Sequence, residues 1–119
     1  MANTYVNAKQ DLTSTSATTL YTCATSTTAI VKSILVSEDS GNADTITVTL
    51  TDTASAIFSL FKVKAVGANT TIELLTQDLI LQSGEILKVQ AATANRLHVV
   101  ASIQELSKTR VTTSAVTQI

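Results

Sequence analysis

The sequence predicts an all-β fold: an antiparallel β-sandwich, jelly-roll-like, of about eight strands with extended terminal arms. The first observation is an alternation of Thr with Val, Ile and Leu, plainest over residues 45–51, which is the period of a strand with one buried and one wet face. The second is composition, because more than a quarter of the residues are Thr or Ser, none is Pro or Trp, and only 3% are aromatic. The third is the spacing of turn signals, which separate apolar runs roughly every 8–12 residues, as in sandwiches and jelly rolls.

Four extended segments are predicted in the first half of the chain. The first is expected to be either an N-terminal arm or an edge strand, and a hydroxyl-rich connector follows it. Between the third and fourth lies a turn that contains Gly41 and Asn42, both of which tolerate positive φ. In order, the segments are residues 1–12, 20–23, 28–38 and 45–51.

The second half continues with shorter segments and tight turns. The run at residues 56–66 has apolar spacing that a helix would also show, and its β-rich surroundings favour a strand. Further strands are expected at residues 70–75, 79–81, 86–91 and 96–105. After Leu106 the chain is polar with spaced β-branched residues, so we expect a domain at residues 13–106 and a C-terminal arm at residues 107–119.

Two of the predicted strands are apolar on both faces, which predicts contact with other subunits. In the segment at 28–38, strict alternation sets Val31 and Leu35 opposite Ile34 and Val36; at 56–66, Phe58 and Leu60 oppose Ile57, Phe61 and Val63. A two-layer sandwich covers only one face of each sheet, so the other must be covered by a subunit or by the chain itself. The predicted subunit-contact residues are Val31, Leu35, Phe58, Leu60, Val111, Val116 and Ile119.

Residue types that carry chemistry are scarce and isolated. His98, the only histidine, alternates with the core residues of its strand and is expected on the surface, with no nucleophile or orienting group placed beside it. Cys23 lacks an activating base and is expected to be a small buried filler. Gly67 and Gly84 are isolated, so no phosphate-binding loop is predicted. We therefore expect no catalytic residues, no metal ligands, no cofactor and no enzymatic activity.

Charge and hydropathy exclude two classes of partner. The net charge of −1 gives no electrostatic footprint for nucleic acid, and no apolar run approaches the roughly 18 residues of a membrane-spanning helix. No secretory signal is evident, so folding in a cytoplasm is expected. The acidic loop at residues 38–44 offers oxygen ligands that calcium prefers, but it lacks EF-hand spacing, and a solvated turn is the simpler interpretation.

Three motifs taken together resemble a known family. They are Leu20-Tyr21-Thr22, the run Thr-Ala-Ile-Val-Lys-Ser-Ile at residues 28–34, and Leu-Gln-Ser-Gly-Glu-Ile-Leu-Lys-Val at residues 81–89, before a final strand that ends near Glu105. In this order and spacing they are similar to small virion structural proteins of tailed bacteriophages, notably those of cyanophages. The resemblance spans roughly residues 8–106 and implies a β-sandwich module on the phage particle, often multimeric. Many members have Val-Pro after the first motif, where this chain has Cys23-Ala24.

The resulting functional hypothesis is a non-enzymatic structural component of a bacteriophage virion: capsid decoration, neck or tail component. Apolar strand faces would pack on other subunits, and terminal arms would add strands to neighbours. The expected partners are other copies of the chain, with a trimer as the working symmetry, and other virion proteins; the expected location is the virion, assembled in the host cytoplasm. The alternative is a receptor- or glycan-binding module of a phage fibre or capsid surface, which needs an exposed aromatic cluster or a bound cation.

Overall fold

The structure, a computed structural model, describes residues 2–107, and the regular elements in that range are all β-strands. The all-β prediction is confirmed, and the run at residues 56–66 that also fitted a helix is a strand. Each observed strand begins and ends within about two residues of its predicted bounds. In chain order the strands are β1 (Ala2–Asp11), β2 (Thr18–Thr22), β3 (Thr27–Glu38), β4 (Asp44–Thr51), β5 (Ile57–Val66), β6 (Thr71–Glu73), β7 (Leu79–Leu81), β8 (Ile86–Ala91) and β9 (Leu97–Ser107).

The strands form two antiparallel sheets around one core. The first sheet has the order β1-β9-β3-β6, with β7 also paired to β3, and the second sheet has the order β2-β8-β4-β5. Because β6 and β7 pair with different stretches of β3, they serve together as one interrupted edge strand. With that pair counted as one position, the two sheets have four positions each and the strand order of a jelly roll. The first segment of the chain is therefore an edge strand of the first sheet, paired with β9 along its whole length.

The core between the sheets is built from aliphatic side chains. Burial alternates along β8 and β9 with a period of two, as the sequence predicted. Each fully buried side chain of this kind stabilises the fold by about 1.5–3 kcal/mol, so aliphatic residues suffice despite the low aromatic content. The inward residues of these two strands are Leu87, Val89, Ala91, Leu97, Val99, Ala101 and Ile103.

A β-bulge in β3 corrects the predicted faces of that strand. The register with β9 shifts between Val31 and Ser33, and one extra residue inverts the alternation beyond it. As a result Val31 shares the core side with Ile34 and Val36, all at 0% exposure, while Leu35 points outward at 40%. The prediction that Val31 lies opposite Ile34 and Val36 is wrong, because it assumed strict alternation through the bulge.

The turn before β8 requires glycine. Gly84 has a φ of 85°, in the left-handed region, and its N–H donates to the Cys23 carbonyl at 2.8 Å. A Cβ at this position would stand 2.8 Å from Cγ2 of Thr53, closer than real contacts allow. In the turn before β4, Gly41 has the expected positive φ, whereas Asn42 does not.

Candidate subunit-contact surfaces

Four of the predicted contact residues lie in the described part of the chain, and they do not form one surface. Val31 is fully buried in the chain's own core, so its side chain is not offered to a neighbour. Leu35 is 40% exposed on the outer face of the first sheet. Phe58 is 52% exposed and Leu60 is half-buried, both on β5 at an edge of the second sheet. The other three, Val111, Val116 and Ile119, lie outside the described residues.

The exposed large apolar side chains of the second sheet are Ile57, Phe58 and Val63, all on β5 and together called the β5 apolar strip. Ile57 and Val63 lie beside the outward threonines of β4, whereas Phe58 is on the other side of the strand, where it pairs with Leu50. The three side chains are 66%, 52% and 60% exposed. They are exposed because β5 is an edge strand whose register with β4 shifts twice, and each shift changes which side chains face the core. Sequence reasoning placed Ile57 and Val63 on the same face as Phe61, which packs against the core, and so missed them as contact residues.

Val63 also has an unusual backbone conformation. Its φ is 54°, and the left-handed region is costly for a β-branched residue, by about 1–2 kcal/mol. The Val63 N–H donates to the Thr47 side-chain oxygen at 3.1 Å, outside the regular backbone ladder. Backbone strain of this kind is retained where the surrounding structure over-determines it, often at functional positions. The strained residue is the one that ends the β5 apolar strip.

A groove of about 570 Å³ opens between β5 and the interrupted β6–β7 edge. Leu60 and Phe61 line the groove and lie on β5 between Phe58 and Val63. The groove therefore adjoins the β5 apolar strip. The lining mixes apolar and polar groups, which is the character of a contact surface rather than of a closed core. The apolar lining residues are Leu60, Phe61, Leu74, Leu75 and Leu79, and the polar ones are Lys64, Glu73, Thr76, Gln77 and Asp78.

Glu73 closes the gap between β6 and β7. Its carboxylate accepts hydrogen bonds from the Ile34 N–H at 2.8 Å and the Leu75 N–H at 3.1 Å, and from the Ser33 hydroxyl. Burial raises the pKa of this carboxyl, but the hydrogen bonds outweigh burial and the pKa lies below its ordinary value. The side chain thus satisfies a backbone donor of β3 that no strand reaches.

Hydrogen bonds to the Glu38 carboxylate organise the acidic loop. Glu38 is 1% exposed, and its carboxylate accepts from the N–H groups of Ser40, Gly41 and Asn69 at 2.8, 3.2 and 3.0 Å, and from the Ser40 hydroxyl. Burial raises the pKa of this carboxyl, but the four hydrogen bonds prevail and lower it to about 2. Within residues 2–107, no group of three or more His, Cys, Asp or Glu side chains is arranged to hold a metal ion.

His98 lies on the surface and Cys23 in the core, as expected, but the sequence did not reveal that two carboxylates flank the His98 ring. His98 is partly exposed, with Nε2 3.3 Å from the Asp11 carboxylate and Nδ1 3.7 Å from that of Asp39. Cys23 is 1% exposed, and its Sγ lies 3.4 Å from the Thr27 carbonyl oxygen and 3.6 Å from that of Leu81. The prediction of a buried filler cysteine is confirmed.

The described aromatic residues do not gather into a stacking platform. Tyr5, 73% exposed, belongs to the first sheet, whereas Phe58 belongs to the edge of the second. Tyr21 is half-buried and its hydroxyl donates to the Glu105 carboxylate; burial first, and then this hydrogen bond, raise the Tyr21 pKa far above its ordinary value. The part of the chain that the structure describes contains no helix long and apolar enough to span a membrane.

Comparison with solved structures supports the fold. One similar chain comes from Bacillus endospore appendages, described as a novel family of disulfide-linked pili; the match has a TM-score of 0.55 at 9% identity and covers 89% of this chain and 87% of that one. A second, from infectious bursal disease virus Gt strain, has a TM-score of 0.41 at 9% identity and covers 88% of this chain but 30% of that one, which does not establish a common fold. No family model matches the sequence, and no curated protein matches it.

Proposed function

We propose that this chain is a non-enzymatic structural subunit of a bacteriophage virion, a capsid decoration, neck or tail component that works by subunit packing. The observation that carries the proposal is the β5 apolar strip, where three large apolar side chains are each more than half exposed. Exposed apolar area marks protein–protein contact surfaces where it is contiguous, and we propose that Ile57 and Val63 on the outer side of β5 and Phe58 on its other side contact neighbouring subunits. Lys62 and Lys64 on the same strand supply polar groups of the kind found at the rim of an interface.

The energy available from this strip favours a repeated contact over a single one. Each of the three side chains gains about 1.5–3 kcal/mol if a neighbour buries it fully. Association costs about 4–15 kcal/mol in lost translational and rotational freedom. One strip therefore makes a weak contact, and an array of copies turns weak contacts into stable attachment through avidity. A component present in many copies on a particle meets that requirement.

The assignment to a phage particle is supported by the three sequence motifs and their order. Fold alone does not determine function, although jelly rolls occur among viral capsid domains. The similar endospore-appendage chain belongs to pili, and we propose subunit association for this chain as well. Those pili are disulfide-linked, whereas the Cys23 thiol is buried, so the association proposed here rests on non-covalent contacts.

Self-association of the purified full chain tests the proposal. Sedimentation velocity over a concentration series is expected to show association that strengthens with concentration. An Ile57→Ser/Phe58→Ser double substitution removes most of the exposed apolar area of the strip and is expected to raise the dissociation constant at least ~10-fold, about 1.4 kcal/mol. Ile80→Ser is the matched control, because Ile80 is 49% exposed but lies on the first sheet.

Two results would contradict the proposal. One is a wild-type chain that stays monomeric at every concentration and does not bind assembled particles. The other is a double variant that associates as strongly as Ile80→Ser, which would show that the β5 apolar strip makes no contact. Thermal unfolding of each variant verifies that the fold is retained.

A further inference from the structure

Three of the four sheet edges carry features that block strand addition. The β5 edge has two register shifts, the left-handed residue Val63 and two lysines, Lys62 and Lys64. The β2 edge is five residues long and has a register shift between Thr19 and Tyr21. The β6–β7 edge consists of two three-residue strands, with the Glu73 carboxylate between them. Short strands, bulges and lysines are the means by which proteins prevent edge-to-edge pairing.

The fourth edge, β1, is open by the same criteria. It is ten residues long and pairs with β9 in one unbroken register from Ala2 to Asp11. It contains no proline and one lysine, Lys9, and most of its residues are exposed. Among residues 2–107 it is the one sheet edge without a bulge, an interruption or a carboxylate in place of a partner.

The direction of the backbone groups on β1 follows from one hydrogen bond. The Leu12 N–H donates to the Leu97 carbonyl of β9 at 3.0 Å, and Leu12 continues the β1 register by one residue. Because N–H groups alternate in direction along a strand, those of Val6 and Ala8 point to β9. Those of Tyr5, Asn7 and Lys9 point to the free edge.

The segment at residues 108–119 has the properties of a strand that would fit this edge. Seven of its twelve residues are Thr, Val or Ile, and it contains neither Gly nor Pro, a composition that favours extended structure. Fully extended it spans about 40 Å, enough to cover the roughly 33 Å of β1. In an extended chain Val111, Ala115 and Ile119 fall on one face, which would continue the core side beyond the half-buried Val6 and Ala8.

Charge favours the same pairing. All nine acidic residues precede residue 108, whereas Lys108 and Arg110 are two of the eight cations. Residues 1–107 therefore have six cations against nine acids, a formal charge of −3, and residues 108–119 have +2. Ser107 of β9 pairs with Ala2 of β1, so residue 107 lies at the start of β1, on the side opposite its free edge. To reach that edge in its own copy the segment would have to pass around the start of β1, whereas the β1 edge of a second copy presents no such obstacle.

The geometry points to the β1 edge as the acceptor of residues 108–119 from a second copy of this chain, which add a strand to the first sheet by β-augmentation. The inference rests on the proposed structural function and names the surface that holds the subunits together. In it the N–H groups of Tyr5, Asn7 and Lys9 supply the main-chain bonds. Neighbouring copies are thus linked from the end of one sheet to the edge of the next.

An Asn7→Pro substitution in the full chain tests the acceptor edge. Proline removes an N–H that points away from β9, a position where edge strands tolerate it, so the thermal midpoint should fall by only a few degrees. The dissociation constant measured by sedimentation velocity is expected to rise at least ~10-fold, about 1.4 kcal/mol. Asn7→Ala is the matched control, because it removes the same side chain but keeps the N–H and should associate as the wild type does.

A synthetic peptide of residues 108–119 tests the occupant on the wild-type chain, independently of whether Asn7→Pro folds. In excess it should compete with the segments of neighbouring copies and shift the assembly toward monomer, and a scrambled peptide of the same composition should not. Equal association of Asn7→Pro and Asn7→Ala would overturn the choice of edge. Loss of association in Asn7→Pro without competition by the peptide would overturn the occupant, in favour of a β1–β1 contact. A wild-type chain that never associates would instead overturn the proposed function itself.

Discussion

At the scale of single residues, two carboxylates take structural roles that their position in the sequence does not reveal. The Glu38 carboxylate lies in a loop and the Glu73 carboxylate at a sheet edge. Each accepts hydrogen bonds from more than one main-chain N–H group. In both, hydrogen bonds to the ionised form outweigh the cost of burial, so the pKa falls. In the acidic loop, the Glu38 carboxylate is thereby satisfied by hydrogen bonds from Ser40, Gly41 and Asn69.

The Glu38 carboxylate makes stability depend on pH in a defined window. Its pKa is about 2 in the folded chain against an ordinary 4.5, so ionisation favours the folded state. The contribution is complete above about pH 4.5 and is lost as the pH falls toward about 2. We expect the free energy of unfolding of the wild type, measured in urea, to fall across this window more steeply than that of Glu38→Gln.

Asp39→Asn is the control for that measurement. Asp39 adjoins Glu38 but is exposed, and its substitution leaves the hydrogen bonds to the Glu38 carboxylate in place. It should keep the steep wild-type dependence. The account of Glu38 is wrong if Glu38→Gln and the wild type lose stability in parallel between pH 4.5 and pH 2.

At the scale of elements, a side chain completes the edge of the first sheet. Between β6 and β7 no described strand pairs with this side of β3, and the Glu73 carboxylate takes the place of a backbone partner. The backbone N–H of Leu74 donates to the Ile34 carbonyl at 2.9 Å, and the Glu73 carboxylate accepts from the Ile34 N–H. These two contacts to Ile34 bridge the interruption between β6 and β7. Proline is one residue that prevents strand pairing at sheet edges. This chain has no proline, and at this edge the Glu73 carboxylate serves the same purpose.

Glu73→Ala should destabilise the fold and open this edge. Removal of the carboxylate leaves the Ile34 N–H without its partner, at a cost of about 1–2 kcal/mol. Unfolding in urea measures the loss, and light scattering at high concentration should reveal increased non-specific aggregation. Asp78→Ala removes a half-exposed ion pair with Lys32 and should cost only about 0–1 kcal/mol. Equal effects of the two substitutions would show that Glu73 is an ordinary surface residue.

At the scale of the whole molecule, the buried core and the surfaces proposed for assembly consist of different residues. The buried core residues run from Leu12 to Ile103, within the described part of the chain. The three surfaces argued for assembly are the β5 apolar strip, the β1 edge and residues 108–119. Because none of the described side chains of the β5 apolar strip and β1 is fully buried, we expect that variants can change assembly without changing the fold.

Removal of residues 108–119 should therefore leave the jelly roll folded and weaken association. We expect a β-type circular dichroism spectrum and cooperative unfolding within about 0.5 kcal/mol of the full chain, the usual range for changes away from the core. A full-length variant in which a Gly-Ser sequence replaces the segment controls for chain length and should behave like the truncation. Normal occupancy of the truncated chain on assembled particles would refute a role for the segment in assembly.

The fold class and most of the core were predictable from the sequence, because burial in regular strands alternates with a local period of two. That period correctly placed the inward residues of β8 and β9, and the absence of an activating base beside Cys23 correctly predicted a buried thiol. The β-rich surroundings, rather than the period, favoured a strand at residues 56–66, where β5 is found. These features depend on neighbouring residues along the chain, which the sequence displays directly.

The contact surfaces were only partly predictable, because bulges and edges depend on which strand lies alongside. Phe58 and Leu35 are exposed as expected, but Val31 is buried by the β3 bulge, and the shifts in β5 expose Ile57 and Val63. The roles of Glu38 and Glu73 likewise arise from N–H groups far away along the chain. Sequence by itself determined that this chain is a sheet protein with an aliphatic core; only the tertiary structure decided which faces and edges remain open, because register is a property of paired strands.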